Sequence, residues 1–264
     1  MSSTPEKLLH LNLPIIKLFL LWFCSVTVCM PVTAQIISSP TVQVNMLEVY
    51  TSQGCSSCPP AERWMSQFKK DSRLWKKLVP MNFHVDYWDY LGWSDPYASK
   101  IFTNRQRSFK SLGLSPTVAT PGFIVAGKGW NGWFRGRPVP IKTPVDVGVL
   151  TANVLTENAE EMKAEVSFHP TQNVDKALLL HVAILGFDQL TKVMAGENSG
   201  KELPHDFVVL GYNRSALEEM NNKLSAQIKL PEVSQFNSPR KALVFWVSRH
   251  GDPTPIQVAA DWYF

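Results

Sequence analysis

The chain has 264 residues, 45% hydrophobic and 18% charged, a balance that belongs to a folded globular protein and excludes intrinsic disorder. That length suffices for one large or two moderate domains. The formal net charge of +4 is modest, and Lys and Arg never run longer than two in a row, so nothing in the charge pattern supports nucleic-acid binding.

The N-terminal segment, residues 1–34, reads as a targeting signal. Lys7 and Lys17 precede an uncharged apolar block of 13 residues, Leu18 to Met30. Pro31-Val32-Thr33-Ala34 follows, a Val-x-Ala cleavage pattern ahead of Gln35. A membrane-spanning helix wants about 20 apolar residues, so cleavage and export to a bacterial periplasm or exterior are expected over a retained anchor. A membrane would be touched only through an uncleaved signal. A lipoprotein site at Cys29 is the weaker pattern, because Val28 is bulky where a small residue is expected. Cleavage removes Cys24 and Cys29 and leaves Cys55 and Cys58, in a compartment where disulfides persist.

Next, Val44 to Tyr50 reads as a buried strand and Ala61 to Lys69 as an amphipathic helix. Between them stands Cys55-Ser56-Ser57-Cys58, with Gly54 before it and Pro59-Pro60 behind it. A C-x-x-C between a strand and a helix is the position of a thioredoxin-like redox pair. The first cysteine of such a pair meets the unpaired N–H groups at the helix start, which favour a thiolate. Only the thiolate attacks disulfides. Glu48 is an anomaly inside an otherwise apolar strand. Buried and unpaired it would have a raised pKa and could relay the proton of Cys58; the alternative is a structural carboxylate held by backbone or an arginine.

Leu78 to Asp86 is a second apolar strand. His84, Asp86, Tyr87, Trp88 and Asp89 crowd its end, where they could wall a groove, and His84 could join the cysteines as a soft S2N set suited to copper or zinc. Metal spacing is otherwise absent, so no metal and no organic cofactor is expected: the disulfide itself carries the electrons. A helix is predicted within Ser94 to Leu112, with Arg105 and Arg107 on its exposed face. Thr120-Pro121, just ahead of a strand from Gly122 to Ala126, is placed for a cis-proline beside the cysteines, with the Thr120 backbone open to an extended peptide. Ser115-Pro116 is the rival position. Trp130-Asn131-Gly132-Trp133 carries a hairpin signal, and Pro144 to Leu155 reads as a closing helix capped by Thr143.

From about residue 160 the pattern changes to alternation. Met162 to Phe168, Ala177 to Phe187, Asp206 to Leu210, Ala226 to Leu230 and Ala242 to Val247 are strand candidates separated by turns. His169, His181 and His205 have no partner at ligand spacing and read as structural. The expected fold is therefore α/β: a thioredoxin-like domain over 42–157, then an antiparallel β-rich, sandwich-like part over 158–264. There is no phosphate-binding glycine loop, nucleophile elbow or paired-histidine zinc motif.

Val44 to Pro60, His84 to Pro96, Arg105-Gln106-Arg107, Thr120-Pro121 and Gly196 to Asp206 together resemble the DUF1223 family of secreted bacterial proteins. The resemblance covers nearly the whole chain after the signal. It implies a thioredoxin-like fold with an added β-rich part and an exported location. One departure is that the family usually carries a longer side chain where Gly122 stands. The expected activity is thiol–disulfide exchange on protein or peptide thiols, with Cys55 attacking, Cys58 resolving, Thr120 and Pro121 holding substrate, and Glu48, Gly54 and Pro59 in support. Two alternatives stand beside it: a binding module whose cysteines form a structural disulfide, and copper handling through Cys55, Cys58 and His84.

Overall fold

The computed structural model describes residues 1–2, 34–158, 161–172, 177–220 and 223–263. The expected signal segment lies outside them except for its ends; Ala34 opens the first strand. In chain order the elements are β1 (Ala34–Ser38), β2 (Asn45–Thr51), α1 (Pro59–Ser66), β3 (Leu78–His84), α2 (Lys100–Ser111), β4 (Gly122–Val125) and β5 (Lys128–Gly129). They continue with β6 (Gly148–Asn158), β7 (Glu161–Pro170), β8 (Leu178–Phe187), β9 (Gln189–Lys192), β10 (Glu202–His205), β11 (Val208–Met220), β12 (Lys223–Lys229), β13 (Arg240–Arg249) and β14 (Pro255–Tyr263).

The α/β expectation is overturned. Among the described residues there are two α-helices against fourteen strands, and twelve of the strands join in one mixed sheet. Its path runs β1-β6-β7-β12-β11-β3-β2-β4-β5, with β8, β13 and β14 branching from β11. Among the described residues no thioredoxin-like alternation of strands and helices is present. The segment expected to close an α/β domain as a helix is strand β6. Leu150, Ala152 and Val154 alternate inward there, and all are buried. A period of two with β-branched Val149, Thr151 and Val154 outweighs the capping signal at Thr143-Pro144. The hairpin also falls elsewhere: β4 and β5 turn at Ala126-Gly127, both at positive φ (46° and 80°), the geometry of a two-residue primed turn.

Strands β2 and β3 pair in parallel, and every residue of both is buried, which is why they read as largely apolar runs, with Glu48 the charged interruption. β11 pairs in parallel with β3 at Val208↔Asn82 and antiparallel with β8. In β8, Ala183, Leu185 and Phe187 face one core cluster, with β2, β3 and α1. Leu178, Leu180, Val182 and Ile184 face a second, with β6 and β7. β8 is therefore covered on both sides. Phe102 and Phe109 of α2 pack into the first cluster. No helix among the described residues is long and apolar enough to cross a membrane.

Candidate functional site

β2 ends at Thr51, and a tight turn carries the chain through Ser52, Gln53 and Gly54 to the cysteines. Gly54 lies close against Trp88, where an added Cβ would stand 3.2 Å from that residue's Cβ. Cys58 caps α1, and Pro59 occupies the first helical position, where its missing N–H costs nothing. Cys55 and Cys58 are unbridged here. The loop is strapped from outside: Asn198 donates to the carbonyls of Gln53 (3.0 Å) and Cys55 (2.9 Å), and Glu197 accepts from the Ser56 N–H at 2.8 Å.

The two thiols differ sharply. Cys55 keeps 3% of its surface exposed and Cys58 none. Cys55 lies 3.2 Å from Ser57 Oγ and 3.6 Å from the Thr120 carbonyl. A hydrogen bond from Cys58, helped by Ser57 and Thr120 and opposed by burial, lowers the Cys55 thiol to about 5. Burial, then the proximity of Cys55, pushes the Cys58 thiol well up. Of the two thiols, Cys55 is therefore the more acidic and Cys58 the less.

The Thr120–Pro121 peptide bond is cis, as expected. Trp88 Nε1 donates to Thr120 Oγ1 at 2.6 Å, fixing this loop against the cysteines. Beyond Pro121 a cavity of about 270 Å³ is lined by Gly122, Phe123, Trp130 and Phe134 among others. Gly122 is required by packing: a Cβ there would stand 2.6 Å from the Ala119 carbonyl and 2.7 Å from Gln106 Nε2.

Glu48 takes the structural alternative. It is fully buried and accepts from Arg105 Nε (2.7 Å), Arg105 Nη2 (2.9 Å) and Tyr50 Oη (2.8 Å). Its oxygens are occupied by these partners rather than aimed at Cys58. Arg105 is correspondingly not on the exposed face of α2. Its guanidinium lies over the rings of Phe83, Phe109 and Trp246 at 5.3–5.7 Å. Arg107 is exposed.

His84 does not join the cysteines. Its Nδ1 bonds Asp95 Oδ2 at 2.7 Å, and its Nε2, buried and without a hydrogen-bond partner among the described residues, lies 4.0 Å from Glu62 Oε2. His205, read from sequence as structural, bonds the same Glu62 oxygen through Nδ1. Glu62 Oε1 accepts from Thr51 Oγ1 at 2.6 Å. All of Thr51, Glu62, His84, Asp95 and His205 are buried.

A family profile described as "Protein of unknown function (DUF1223)" matches residues 46–248, from β2 through β13. The chain belongs to the DUF1223 family. Among solved structures, this DUF1223 chain is similar to a structural-genomics protein from Agrobacterium tumefaciens, with 22% identity and a TM-score of 0.52, over 84% of this chain and 95% of that one. It is also similar to HBP35 of Porphyromonas gingivalis, with 13% identity and a TM-score of 0.57, over 84% and 76%. At these identities the likeness concerns the fold alone. A search of curated proteins gives no match.

Sequence reading of this DUF1223 member missed Thr51, Glu62, Asp95 and His205 as a group. Two signals existed. Glu62 stands four residues after Cys58, one helical turn on. His205 lies within the Gly196–Asp206 stretch that carried part of the family resemblance.

Proposed function

We propose that this protein is an exported thiol–disulfide oxidoreductase acting on protein or peptide thiols and disulfides. The reading is supported by one arrangement: an unbridged Cys55–Cys58 pair at the start of α1, beside the cis Thr120–Pro121 bond, in which both thiols are buried and Cys55 is the more acidic. This is the division of labour that two successive exchanges need. In reduction, the Cys55 thiolate attacks a substrate disulfide, forms a mixed disulfide and expels one substrate sulfur. Cys58 then loses its proton and attacks Cys55 Sγ. The intramolecular disulfide forms, and the second substrate sulfur leaves with the electron pair. Run in reverse, the same exchanges oxidise a substrate dithiol. Thr120 and Pro121 border the sulfur, with the Thr120 carbonyl available beside Cys55. The apolar block before Gln35 is what supports export.

The test is the reduction potential of the pair in the folded mature protein, equilibrated with glutathione. A value of roughly −120 to −230 mV is that of readily exchanging disulfides. A value below about −300 mV marks a structural disulfide and rejects the reading. Cys55→Ser is expected to abolish exchange, and Cys58→Ser to accumulate a mixed disulfide with periplasmic partners. Cys58→Ser protein recovered wholly free of such adducts would count against it.

A further inference from the structure

Strands β9 and β10 form a two-stranded sheet of their own, and the tip of that hairpin reaches the cysteine turn. Gly196 and Gly200, both at positive φ (73° and 80°), shape the tip. It presents the consecutive residues Glu197 and Asn198 to one peptide unit, the bond between Cys55 and Ser56. Asn198 Nδ2 donates to the carbonyl of that peptide at 2.9 Å, and Glu197 Oε2 accepts from its N–H at 2.8 Å. Both polar atoms of the peptide are therefore held. At its base the hairpin is tied to α1 through His205 and Glu62. One hairpin thus grips both the helix and the turn that precedes it.

The orientation of Asn198 follows from its neighbours. Lys201 Nζ, which can only donate, bonds Asn198 Oδ1 at 2.9 Å. The amide nitrogen is turned the other way, and its two hydrogens meet the carbonyls of Gln53 (3.0 Å) and Cys55 (2.9 Å). Asn198 is fully buried, so water cannot replace these bonds. Bonds within the turn are longer: Cys55 N–H to the Ser52 carbonyl and Cys58 N–H to the Cys55 carbonyl both stand at 3.2 Å. The Cys55 carbonyl accepts from Asn198 and from the Cys58 N–H, using both of its lone pairs. A single oxygen therefore links the hairpin to both cysteines.

We propose that Asn198 and Glu197 are positioning residues for thiol–disulfide exchange: by clamping the Cys55–Ser56 peptide they fix where Cys55 Sγ stands relative to Cys58 and the Thr120 carbonyl. This inference rests on the exchange reading and deepens it by adding the hairpin to the site. Cys55 Sγ lies 3.2 Å from Ser57 Oγ and 3.6 Å from the Thr120 carbonyl, contacts that a freed peptide would loosen. In the closing exchange Cys58 Sγ bonds to Cys55 Sγ, the mixed disulfide breaks and its electron pair leaves on the substrate sulfur. Such a displacement depends on placement: moving the reacting atoms by about 1 Å costs about a hundredfold in rate. Asn198 and Glu197 act through the backbone of Cys55, not on its sulfur.

Glu197 carries a charge as well as an acceptor, and the two have opposite consequences. An anion beside Cys55 disfavours its thiolate, whereas a held peptide keeps the hydrogen bonds to that thiolate in place. Glu197→Gln and Glu197→Ala both remove the charge, but only Glu197→Ala removes the acceptor. The difference between these two variants isolates the clamp.

The experiment measures the pH midpoint of Cys55 alkylation in the reduced mature protein, for the wild type, Asn198→Leu, Glu197→Gln and Glu197→Ala. Asn198→Leu keeps the volume and removes the donor. It is expected to weaken thiolate formation about tenfold, the factor carried by one lost hydrogen bond to an ionised group, and so to raise the midpoint from about 5. Glu197→Ala is expected to lie above Glu197→Gln. A purely structural strap would change stability and leave the midpoint of a folded protein unmoved. A wild-type midpoint in folded Asn198→Leu would overturn the clamp, as would equal midpoints in the two Glu197 variants. If Asn198→Leu does not fold, the Glu197 pair, altered on an exposed side chain, decides alone. Release of glutathione from a mixed disulfide preformed on Cys55 should slow by up to about a hundredfold in Asn198→Leu, and unslowed release would also overturn the clamp. If the wild-type adduct releases none, the exchange reading fails instead, and the alkylation midpoints still decide the clamp.

Discussion

Two carboxylates are buried, one on a strand and one on a helix, and they are treated in opposite ways. Glu48 on β2 meets a guanidinium that grips both of its oxygens and cannot give up a proton at any working pH. Glu62 on α1 meets a hydroxyl and an imidazole, partners that hand protons on. The difference teaches where chemistry is affordable: a charge neutralised by arginine is fixed, while one balanced by hydroxyl and histidine can change its protonation without leaving an ion unpaired.

The largest effect should come from breaking the fixed pair. Arg105→Met leaves Glu48 buried with Tyr50 as its remaining donor, and the expected loss is about 3–5 kcal/mol. The double variant Glu48→Met/Arg105→Met should recover most of it, because a well-packed apolar pair often equals a buried ion pair. Chemical denaturation of both proteins checks this; equal losses in single and double variants would mean that Arg105 matters through its ring contacts instead.

How much of this contrast was readable in the sequence differs between the two carboxylates. Glu48 announced itself as a charge in an apolar strand, and Arg105 could have been paired with it. Phe102, Arg105 and Phe109 share the three-and-four spacing of one helix face, and Phe102 and Phe109 are buried. Glu62 gave no such sign, since its partner His205 lies 143 residues away on β10. Strands β2 and β3 were legible because burial on both faces writes an apolar run. β6 was misread because Thr143-Pro144 imitates a helix start while its two-residue period extends over the following residues. The fold class failed for a long-range reason: β11 attaches the C-terminal strands directly to β3, and a sequence pattern carries no record of such pairing.

A second prediction concerns the contrast between the two thiols. The Cys58 hydrogen bond is the leading cause of the acidity of Cys55. Cys58→Ala should therefore raise the midpoint of Cys55 alkylation from about 5 toward the ordinary value of about 8.5, whereas Cys58→Ser keeps a donor and should move it less. Equal profiles in the two variants would assign the acidity to Ser57 and Thr120 alone.

The third concerns pH and stability. Burial pushes His84 down, but Asp95 and Glu62 raise it more, so its folded-state value lies above the ordinary one. Its stabilisation is thus complete below the unfolded value, about 6.5, and is lost as pH rises through the raised folded value. Burial pushes Asp95 up, but His84 outweighs it and lowers its carboxyl. That contribution is present above about 3.9 and is lost as pH falls through the depressed value. Stability should decline on both sides of this window, and Asp95→Asn should flatten the alkaline decline. An unchanged alkaline limb in Asp95→Asn would place the titrating group elsewhere.

The smallest effect on stability should belong to Thr51, one of the two groups that hold Glu62. Thr51→Val keeps the volume and removes one donor to Glu62, while His205 continues to bond the other oxygen. The expected cost is about 1–3 kcal/mol, that of one unsatisfied buried acceptor, and toward the low end because the carboxylate keeps its other partner. Arg105→Met removes two donors and a charge together. If equilibrium denaturation gave Thr51→Val a loss as large as Arg105→Met, Glu62 would be as rigidly held as Glu48, and the two carboxylates would share one structural role. A small loss in Thr51→Val beside a large one in Arg105→Met separates them, because Glu62 keeps His205 as a partner while Glu48 loses the guanidinium that grips both of its oxygens.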